Sequence, residues 1–294
     1  MRFRNIERHS SPGRRLAVVL LFIVVAALAG CGAQFAYDRL DWFMHRYVSS
    51  QVSLDAAQSR ELRAYLGEFF EWHRRHELPR YAAFLERVAD ATERPLSRDQ
   101  LEIGRREVEA FMHTSVSQGA PDAARWLRSL RPEQIEEMFA NFAEKGRKSR
   151  TESCERDPDE RRADIARRFV DNVERWTGRL SGSQRGMIAS RLAQMPLEDC
   201  GDPQFAAAGR HTFRDIVDEY RARPDFAQRI TVFVMRPERR GDAEYRRNFE
   251  ANRELILSLL VDVNHSLSPE QRDRSVKRLR ALAADLREIA ADRT

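Results

Sequence analysis

Apolar residues recur every three or four positions along most of the chain, the spacing that places side chains on one face of an α-helix. Charged residues make up 33% of the chain and fill the positions between them. No segment shows the repeated alternation of apolar and polar residues that is typical of half-buried strands. The pattern therefore predicts an all-α fold, an elongated multi-helix bundle of antiparallel helical hairpins. The clearest stripes are Leu62, Leu66, Phe69, Phe70 and His73; Ile165, Phe169, Val173, Trp176 and Leu180; and Val276, Leu279, Leu282, Leu286 and Ile289.

The prolines and stripes also predict the order of helices. Pro79 indicates a break or kink between the helix of the first stripe and a helix over 81–91. A helix over about 97–117 and a shorter helix around Trp126 follow. The helix of the second stripe is expected to pair, as an antiparallel hairpin, with the next helix, whose apolar residues are Ile188, Leu192 and Met195.

The C-terminal third contains one ambiguous segment. Residues 230–234 read Ile-Thr-Val-Phe-Val, which has strand propensity. Their helical neighbours and the lack of a partner strand favour a helix, with a strand as the alternative. Helices over about 242–264 and 269–291 are predicted to end the chain.

Five places share the pattern Leu-x-x-x-Gln, and each is predicted to begin a helix. Ser or Asp after the Leu suits the N-cap position, where its oxygen accepts from free backbone N–H groups. Gln at the third helical position can accept from the N–H of the cap residue in return. Arg131 is the one cap residue without an accepting side chain. The five starts are 54–58, 96–100, 130–134, 180–184 and 267–271.

A polar stretch over 145–158 is the best candidate for an internal boundary, because a charge run of this kind usually forms a solvated linker. The predicted organisation is a signal peptide over 1–30, a lipidated tether and docking segment over 31–50, and a helical domain over 51–294 that can divide near 145–158.

The N-terminus carries an export signal. Five arginines precede an apolar run over 16–28, which is shorter than the roughly 20 residues that span a bilayer. Leu28, Ala29, Gly30 and Cys31 follow the pattern of a lipoprotein cleavage site, and they resemble the lipobox of bacterial lipoproteins. The resemblance implies cleavage before Cys31, where a lipid attaches to the thiol and to the new N-terminus. An apolar helix with a chance Cys, or a cleaved but unmodified Cys31, are the alternatives.

The address that this resemblance implies is the periplasmic face of the outer membrane, because Gly32, rather than a retaining Asp, follows the Cys. The predicted partner is therefore a membrane, reached through the N-terminal lipid. Aromatic residues over 35–43 could dock on the domain or sit at the lipid surface. Docking is favoured, since Asp38 and Asp41 would be repelled by an anionic interface.

Composition gives no reason to expect a nucleic-acid partner. The whole chain has 51 basic and 46 acidic residues, but without residues 1–30 it has 46 and 45. The excess of positive charge thus belongs largely to the signal peptide, and the mature protein is almost neutral.

Two thiols besides Cys31, Cys154 and Cys200, flank the predicted hairpin in a compartment that oxidises thiols. The two hairpin helices differ in length by roughly 12 Å at 1.5 Å per residue. Residues 196–200 can cover up to about 17 Å, so a bridge is geometrically feasible. A structural disulfide closing this loop would stabilise the fold by about 4 kcal/mol. Two free thiols or an intermolecular link are the alternatives.

Little else in the sequence points to chemistry. His73 and Glu77 lie one helical turn apart and could hold a metal ion, but their order fits neither zinc-protease motif and two arginines lie between them. A capped or packed helix face is the favoured interpretation. No nucleophile elbow, phosphate loop or dinucleotide turn is present in the sequence. We therefore expect no cofactor, no metal and no enzymatic activity.

Four segments are distinctive: Tyr37-Asp38-Arg39-Leu40-Asp41-Trp42, Trp72-His73-Arg74, Glu77-Leu78-Pro79-Arg80-Tyr81-Ala82, and Leu-Ser-Pro-Glu-Gln at 267–271. Together they resemble an uncharacterised family of Gram-negative helical lipoproteins. The resemblance spans nearly the whole mature chain and implies an all-helical periplasmic domain of unknown function without catalytic residues. The Leu-x-x-x-Gln starts are also similar, more weakly, to motifs of Spy-type periplasmic chaperones, which are thin helical cradles.

Three functions are consistent with these features. The first is a non-enzymatic envelope lipoprotein that binds protein or envelope components. The second is a chaperone or envelope-stress adaptor that holds unfolded proteins on a concave helical face. The third is a hydrolase of envelope polymers, which would require a deep acidic cleft.

Overall fold

The computed structural model describes residues 32–197 and 203–292, and every regular element in these ranges is helical. The predicted all-α class is therefore confirmed. The elements are α1 (Gly32–Tyr37), α2 (Leu40–Ser49), α3 (Ala56–His76), α4 (Leu78–Thr92), α5 (Arg98–Ser129), α6 (Pro132–Cys154), α7 (Pro158–Thr177), α8 (Gly182–Leu192), α9 (Pro203–Tyr220), α10 (Phe226–Met235), a short 3-10 helix (Pro237–Arg240), α11 (Ala243–Ser266) and α12 (Pro269–Ala291).

The predicted helix starts are confirmed, and their local chemistry explains them. Complete capping boxes begin α3, α5, α8 and α12, with Asp or Ser as the cap and Gln at the third helical position. At the start of α6, Arg131 has no accepting side chain, so only its backbone N–H, which donates to Gln134, contributes. Each box satisfies donors that a helix start otherwise leaves free.

Three hydrophobic clusters hold the helices together. The first joins α3, α5, α6, α9 and α10, and the second joins α1 to α4 with α12. The third lies between α7, α8 and α11, which confirms that α7 and α8 pair as the predicted hairpin. α12 packs along α4, and its last turns lie beside α1.

The long helix α5 differs from the prediction of two shorter helices over 97–129. It continues through Pro121, although proline removes one backbone hydrogen bond and crowds the preceding turn at a cost of about 3 kcal/mol. Ala120, Ala124 and Leu127 are buried on either side of the proline, against α3 and α10. Burial of this face offsets the cost and keeps the helix in one piece.

Two other segments differ from the sequence prediction. Residues 145–154 are the last turns of α6 rather than part of a linker, and the break between helices is confined to 155–157. Charged residues there form solvated helical turns; Arg147, for example, pairs with Glu144 at 2.7 Å. The expected tether over 32–50 is largely helical, as α1 and α2. The ambiguous segment 230–234 is part of α10, as favoured.

Candidate functional site

Residues from three of the four segments that gave the resemblance to helical lipoproteins lie together where α1, α3 and α4 meet. At the centre, His73 is 9% exposed and both of its ring nitrogens are within hydrogen-bond distance of tyrosine hydroxyls. Nδ1 lies 2.9 Å from the Tyr37 hydroxyl and Nε2 lies 3.3 Å from the Tyr81 hydroxyl. Tyr81 in turn lies 3.2 Å from the hydroxyl of Ser115 on α5. We call this set, Tyr37, His73, Tyr81 and Ser115, the tyrosine–histidine chain.

One assignment of protons satisfies the whole chain. Tyr37 donates to the carbonyl of Phe70 at 3.2 Å, so its oxygen is available to accept from His73 Nδ1–H. His73 Nε2 then accepts from Tyr81, whose oxygen accepts from Ser115. All four polar side chains are satisfied, and no proton has to be added to the imidazole.

Burial keeps these groups neutral. It lowers the pKa of His73 to about 4, because a charged imidazolium is poorly solvated among aromatic rings. It also raises the pKa of Tyr81 to about 12, and it raises the pKa of Tyr37 well above its usual range. At neutral pH the tyrosine–histidine chain is therefore an uncharged link between helices.

Arg74 connects the same region to the C-terminus. Its guanidinium is 2.6 Å from Asp38 and donates to the backbone carbonyl of Ile289 at 3.3 Å, in the last turn of α12. It also lies over the ring of Tyr37, 5.1 Å from the centroid. A cation near carbonyls at a helix C-terminus is favourable. We call Arg74, its three partners and the tyrosine–histidine chain the N-terminal clamp.

Sequence order explains how the clamp forms. His73 lies on the buried stripe of α3, and Arg74 follows it toward the second hydrophobic cluster. Glu77 separates α3 from α4, so the predicted break is present, but it precedes Pro79, which takes an early position within α4. Tyr81 then lies one turn into α4, opposite His73. The turn between the two helices thus brings the histidine and the tyrosine together.

The metal interpretation of His73 and Glu77 does not fit this geometry. Both nitrogens of His73 have tyrosine partners, and Glu77, which is 1% exposed, is paired with Arg80 at 2.6 Å. Among the described residues no group of three or more His, Cys, Asp or Glu side chains could hold a metal ion. The packed helix face that the sequence favoured is what the structure contains.

A second polar arrangement involves the Leu-x-x-x-Gln starts, and sequence reasoning missed it. Gln58 and Gln134, on different helices, form two reciprocal amide hydrogen bonds of 3.0 and 2.7 Å. Each also donates to a backbone carbonyl at the other helix start, that of the residue preceding the leucine. Gln58 donates to Ser129 at 3.0 Å, and Gln134 donates to Ser53 at 2.6 Å. Each side-chain oxygen accepts in addition from its own cap residue. Both amides thus use every donor and acceptor they have.

The same arrangement recurs between α8 and α12. Gln184 and Gln271 exchange hydrogen bonds of 2.9 and 3.1 Å and donate to the carbonyls of Ser266 and Arg179. We call the two arrangements the glutamine pairs. The remaining start has no such partner: Gln100 is exposed and accepts only from the N–H of Ser97. The Leu-x-x-x-Gln pattern was visible in the sequence, but it did not indicate which glutamines would form hydrogen bonds with each other.

Cys31 and the recognition residues Leu28, Ala29 and Gly30 lie outside the described residues, as does Cys200. Cys154, at the end of α6, is disulfide-bonded. The pairing with Cys200 stays a prediction.

The segment after Cys31 divides into a docked side and an exposed side. Tyr37 and Leu40 are each 5% exposed within the second hydrophobic cluster, as docking predicts. Phe35, Trp42 and Phe43 are between 53% and 60% exposed, so the expectation that the aromatic residues dock is wrong for these three. Helical periodicity explains the split, since one face of a helix alone can meet the domain.

An open pocket lies where α5 meets the end of α9. Its lining includes Arg128 and Arg221 and a single carboxylate, Asp218, which is paired with Arg214 at 2.7 Å. This pocket is not the acidic cleft that a glycan or peptide hydrolase of the predicted kind requires. Within the part of the chain that the structure describes, no helix has both the length and the apolar character needed to cross a bilayer.

The comparisons with known proteins identify a family but not an activity. No curated protein and no solved structure matches the chain. The sequence pattern of a family of unknown function, DUF6279, matches residues 50–246, which is about two thirds of the chain. The chain belongs to this family, DUF6279.

Proposed function

We propose that this protein is a lipid-anchored, non-enzymatic component of the bacterial envelope, held by acyl chains on Cys31 at the periplasmic face of the outer membrane. The export signal over 1–30 and the lipobox-like residues Leu28 to Cys31 support the address. More than one acyl chain is needed for stable anchoring, and the lipobox chemistry provides it.

The observation that carries the proposal is the N-terminal clamp. The first residues after Cys31 form α1, and Tyr37 is buried against His73 and Arg74 only six positions further on. A lipid on Cys31 would therefore hold the folded domain directly, without a long flexible linker. This arrangement suits a protein that works at the membrane surface.

The binding role is proposed on the character of the helical surface. Many arginines are paired with carboxylates on neighbouring helices; Arg98, for example, lies 2.6 Å from Glu254, and Arg191 lies 2.6 Å from Asp262. A surface of paired, mixed charge suits protein partners better than the unpaired basic stripe that nucleic acid requires. We propose protein partners and no nucleic acid.

Metabolic labelling tests the anchor. Cells that express the full chain are fed an alkynyl palmitate, and the purified protein is examined for label and by mass spectrometry. We expect label on the native chain, none on Cys31→Ser, and full label on the matched control Cys154→Ser. An unlabelled native chain, or a product that retains Met1, would refute the anchor.

Fractionation tests the membrane that receives the protein. The native chain should separate with the outer membrane, and Gly32→Asp should move it to the inner membrane while leaving the label unchanged. A native chain in the inner membrane would contradict the outer-membrane address but not the lipidation. In-cell crosslinking of the native chain, with Cys31→Ser as control, tests for partners at that membrane.

The chaperone hypothesis gains nothing from the helix-start pattern. Its resemblance to Spy-type motifs rests on Leu-x-x-x-Gln, and the capping boxes and glutamine pairs account for that pattern as a structural feature. We therefore propose the binding or structural role alone.

A further inference from the structure

Four of the seven large hydrophobic residues that are exposed in the described part of the chain lie on α1 and α2. On α2, Leu40, Met44 and Val48 face the hydrophobic clusters. Trp42, on the opposite side of the helix, and Phe43, between the two sides, are each 53% exposed. Phe35 of α1 is 60% exposed. We call Phe35, Arg39, Trp42, Phe43 and Arg46 the aromatic–arginine face.

The two arginines of this face are placed against its rings. Arg39 lies 4.1 Å from the centroid of the Phe35 ring, and Arg46 lies 5.8 Å from the Trp42 ring. The rings of Trp42 and Phe43 are 4.9 Å apart, edge to face. The result is a compact group of rings flanked by two exposed guanidinium groups.

Asp38 and Asp41, the carboxylates that made contact with a lipid surface unfavourable in the sequence analysis, both bind groups of the protein. Asp38 is paired with Arg74 of the N-terminal clamp, so its charge is matched within the domain. Asp41 accepts from the backbone N–H of Trp42 at 2.6 Å. A backbone hydrogen bond does not cancel the charge of Asp41, so two exposed arginines and one partly exposed carboxylate give this side of the segment a net charge of +1.

The position of the aromatic–arginine face along the chain indicates that a bilayer is what it contacts. Phe35 is four residues after Cys31, a separation of at most about 14 Å even for an extended chain. A lipid on Cys31 would thus hold Phe35, the first residue of this face, within about 14 Å of the acylated end of the chain. Tryptophan favours the membrane interface, and arginines near it are attracted to anionic headgroups.

We propose that the aromatic–arginine face lies in the headgroup region of an anionic bilayer when the protein is anchored, and that it orients the domain on the membrane. This inference rests on the lipid anchor proposed above. The clamp fixes the face to the domain, because Tyr37 and Leu40 of the same segment are buried. The bilayer therefore meets one defined side of the protein.

The test uses the mature lipidated protein, reconstituted into vesicles of phosphatidylethanolamine and phosphatidylglycerol whose acyl chains carry bromine near the headgroup. Bromine quenches tryptophan fluorescence on contact. Of the four tryptophans, Trp42 is exposed, Trp72 and Trp176 are half-buried, and Trp126 is buried. We expect quenching of the native protein, loss of most of that quenching in Trp42→Phe, and no loss in the matched control Trp176→Phe.

Co-sedimentation with the vesicles separates this inference from the anchor. A protein that sediments with the vesicles but whose quenching is the same in Trp42→Phe keeps its anchor and refutes the bilayer contact. A protein that does not sediment refutes both. Self-association that Trp42→Phe abolishes, without quenching, would assign the face to a second copy of the chain. Retention of residues 16–28, seen by mass spectrometry, would make that segment the occupant and would also overturn the inference.

Discussion

The glutamine pairs allow a direct comparison between glutamines that look alike in sequence. Gln134 and Gln100 occupy the same position in the Leu-x-x-x-Gln pattern, but their environments differ. Gln134 is 3% exposed and paired with Gln58. Gln100 is exposed, and its side chain accepts only from the cap residue of its own helix, Ser97. Replacing each by alanine removes the same side chain from two different environments.

The expected difference follows from the hydrogen bonds. Gln134→Ala removes two donated and two accepted bonds, to Ser53, Gln58 and Arg131. At about 1 kcal/mol net for each bond, the loss is about 4 kcal/mol, and the carbonyl of Ser53 is left without this donor. Gln100→Ala removes one exposed bond and should cost about 1 kcal/mol or less. The two variants should therefore differ by about 3 kcal/mol.

Urea unfolding, followed by circular dichroism and by the fluorescence of the buried Trp126, measures both variants. Trp126 belongs to the hydrophobic cluster that adjoins the Gln58–Gln134 pair, so it reports on the affected region. A double-mutant cycle with Gln58→Ala should show a coupling of at least about 1.5 kcal/mol. Equal losses for Gln134→Ala and Gln100→Ala, or additive losses in the cycle, would refute the account of the pairs.

A glutamate at the same position separates donors from acceptors. Gln134→Glu keeps the one accepting oxygen, which takes both accepted bonds, but replaces the amide nitrogen and both of its donors by a second oxygen, and it buries a charge beside the carbonyl of Ser53. Burial should raise the pKa of the new carboxyl, so the folded state binds the proton more tightly than the unfolded state. The variant should then recover stability, relative to the native chain, as the pH falls from neutral toward about 5. Recovery on raising the pH instead would contradict this reasoning.

Three further predictions concern other parts of the fold. The pKa of His73 in the folded protein is about 4, below its usual value, so on acidification the unfolded chain binds a proton first. The contribution of His73 to the free energy of unfolding should therefore fall by about 2 kcal/mol between about pH 7.5 and pH 5. Urea unfolding of His73→Phe should show a correspondingly smaller loss of stability over this range. Peptide mapping without reduction should link Cys154 to Cys200, and reduction should destabilise the fold by about 4 kcal/mol; finding the thiol of Cys200 alkylatable would contradict the pairing. Pro121→Ala restores a backbone donor in the exposed middle of α5 and should raise the free energy of unfolding by about 1 to 2 kcal/mol, whereas a decrease would mean that the helix depends on the proline.

Local features of the fold could be predicted from the sequence because they depend on residues close together in the chain. Caps, glutamines at the third helical position and apolar stripes all act within one or two turns, and they located the starts of α3, α5, α6, α8 and α12. Pro121 shows the limit of such rules. Its local preference for a break is outweighed by burial of Ala120 and Ala124, which depends on helices distant in sequence.

The candidate site depended on distant pairings, which periodicity does not contain. His73 looked like an ordinary packed histidine in sequence, and its tyrosine partners are 36 residues before it and 8 residues after it. Gln58 and Gln134 are 76 residues apart. A buried glutamine needs partners for its whole amide, but the sequence does not indicate that Gln58 is buried and Gln100 is exposed. Burial is the information that only the structure adds.

The N-terminal clamp joins α1 to the last turn of α12, and the proposed anchor would therefore act directly on the folded domain. Gln34 donates to Asp292, and Arg74 joins Asp38 to the last turn of α12. A protein with a loose tether explores a volume set by its linker. Here the reach from the membrane would instead be set by the folded body, in which α5 alone is about 48 Å long. Partners would then have to meet the domain close to the bilayer, on the sides that the aromatic–arginine face leaves free.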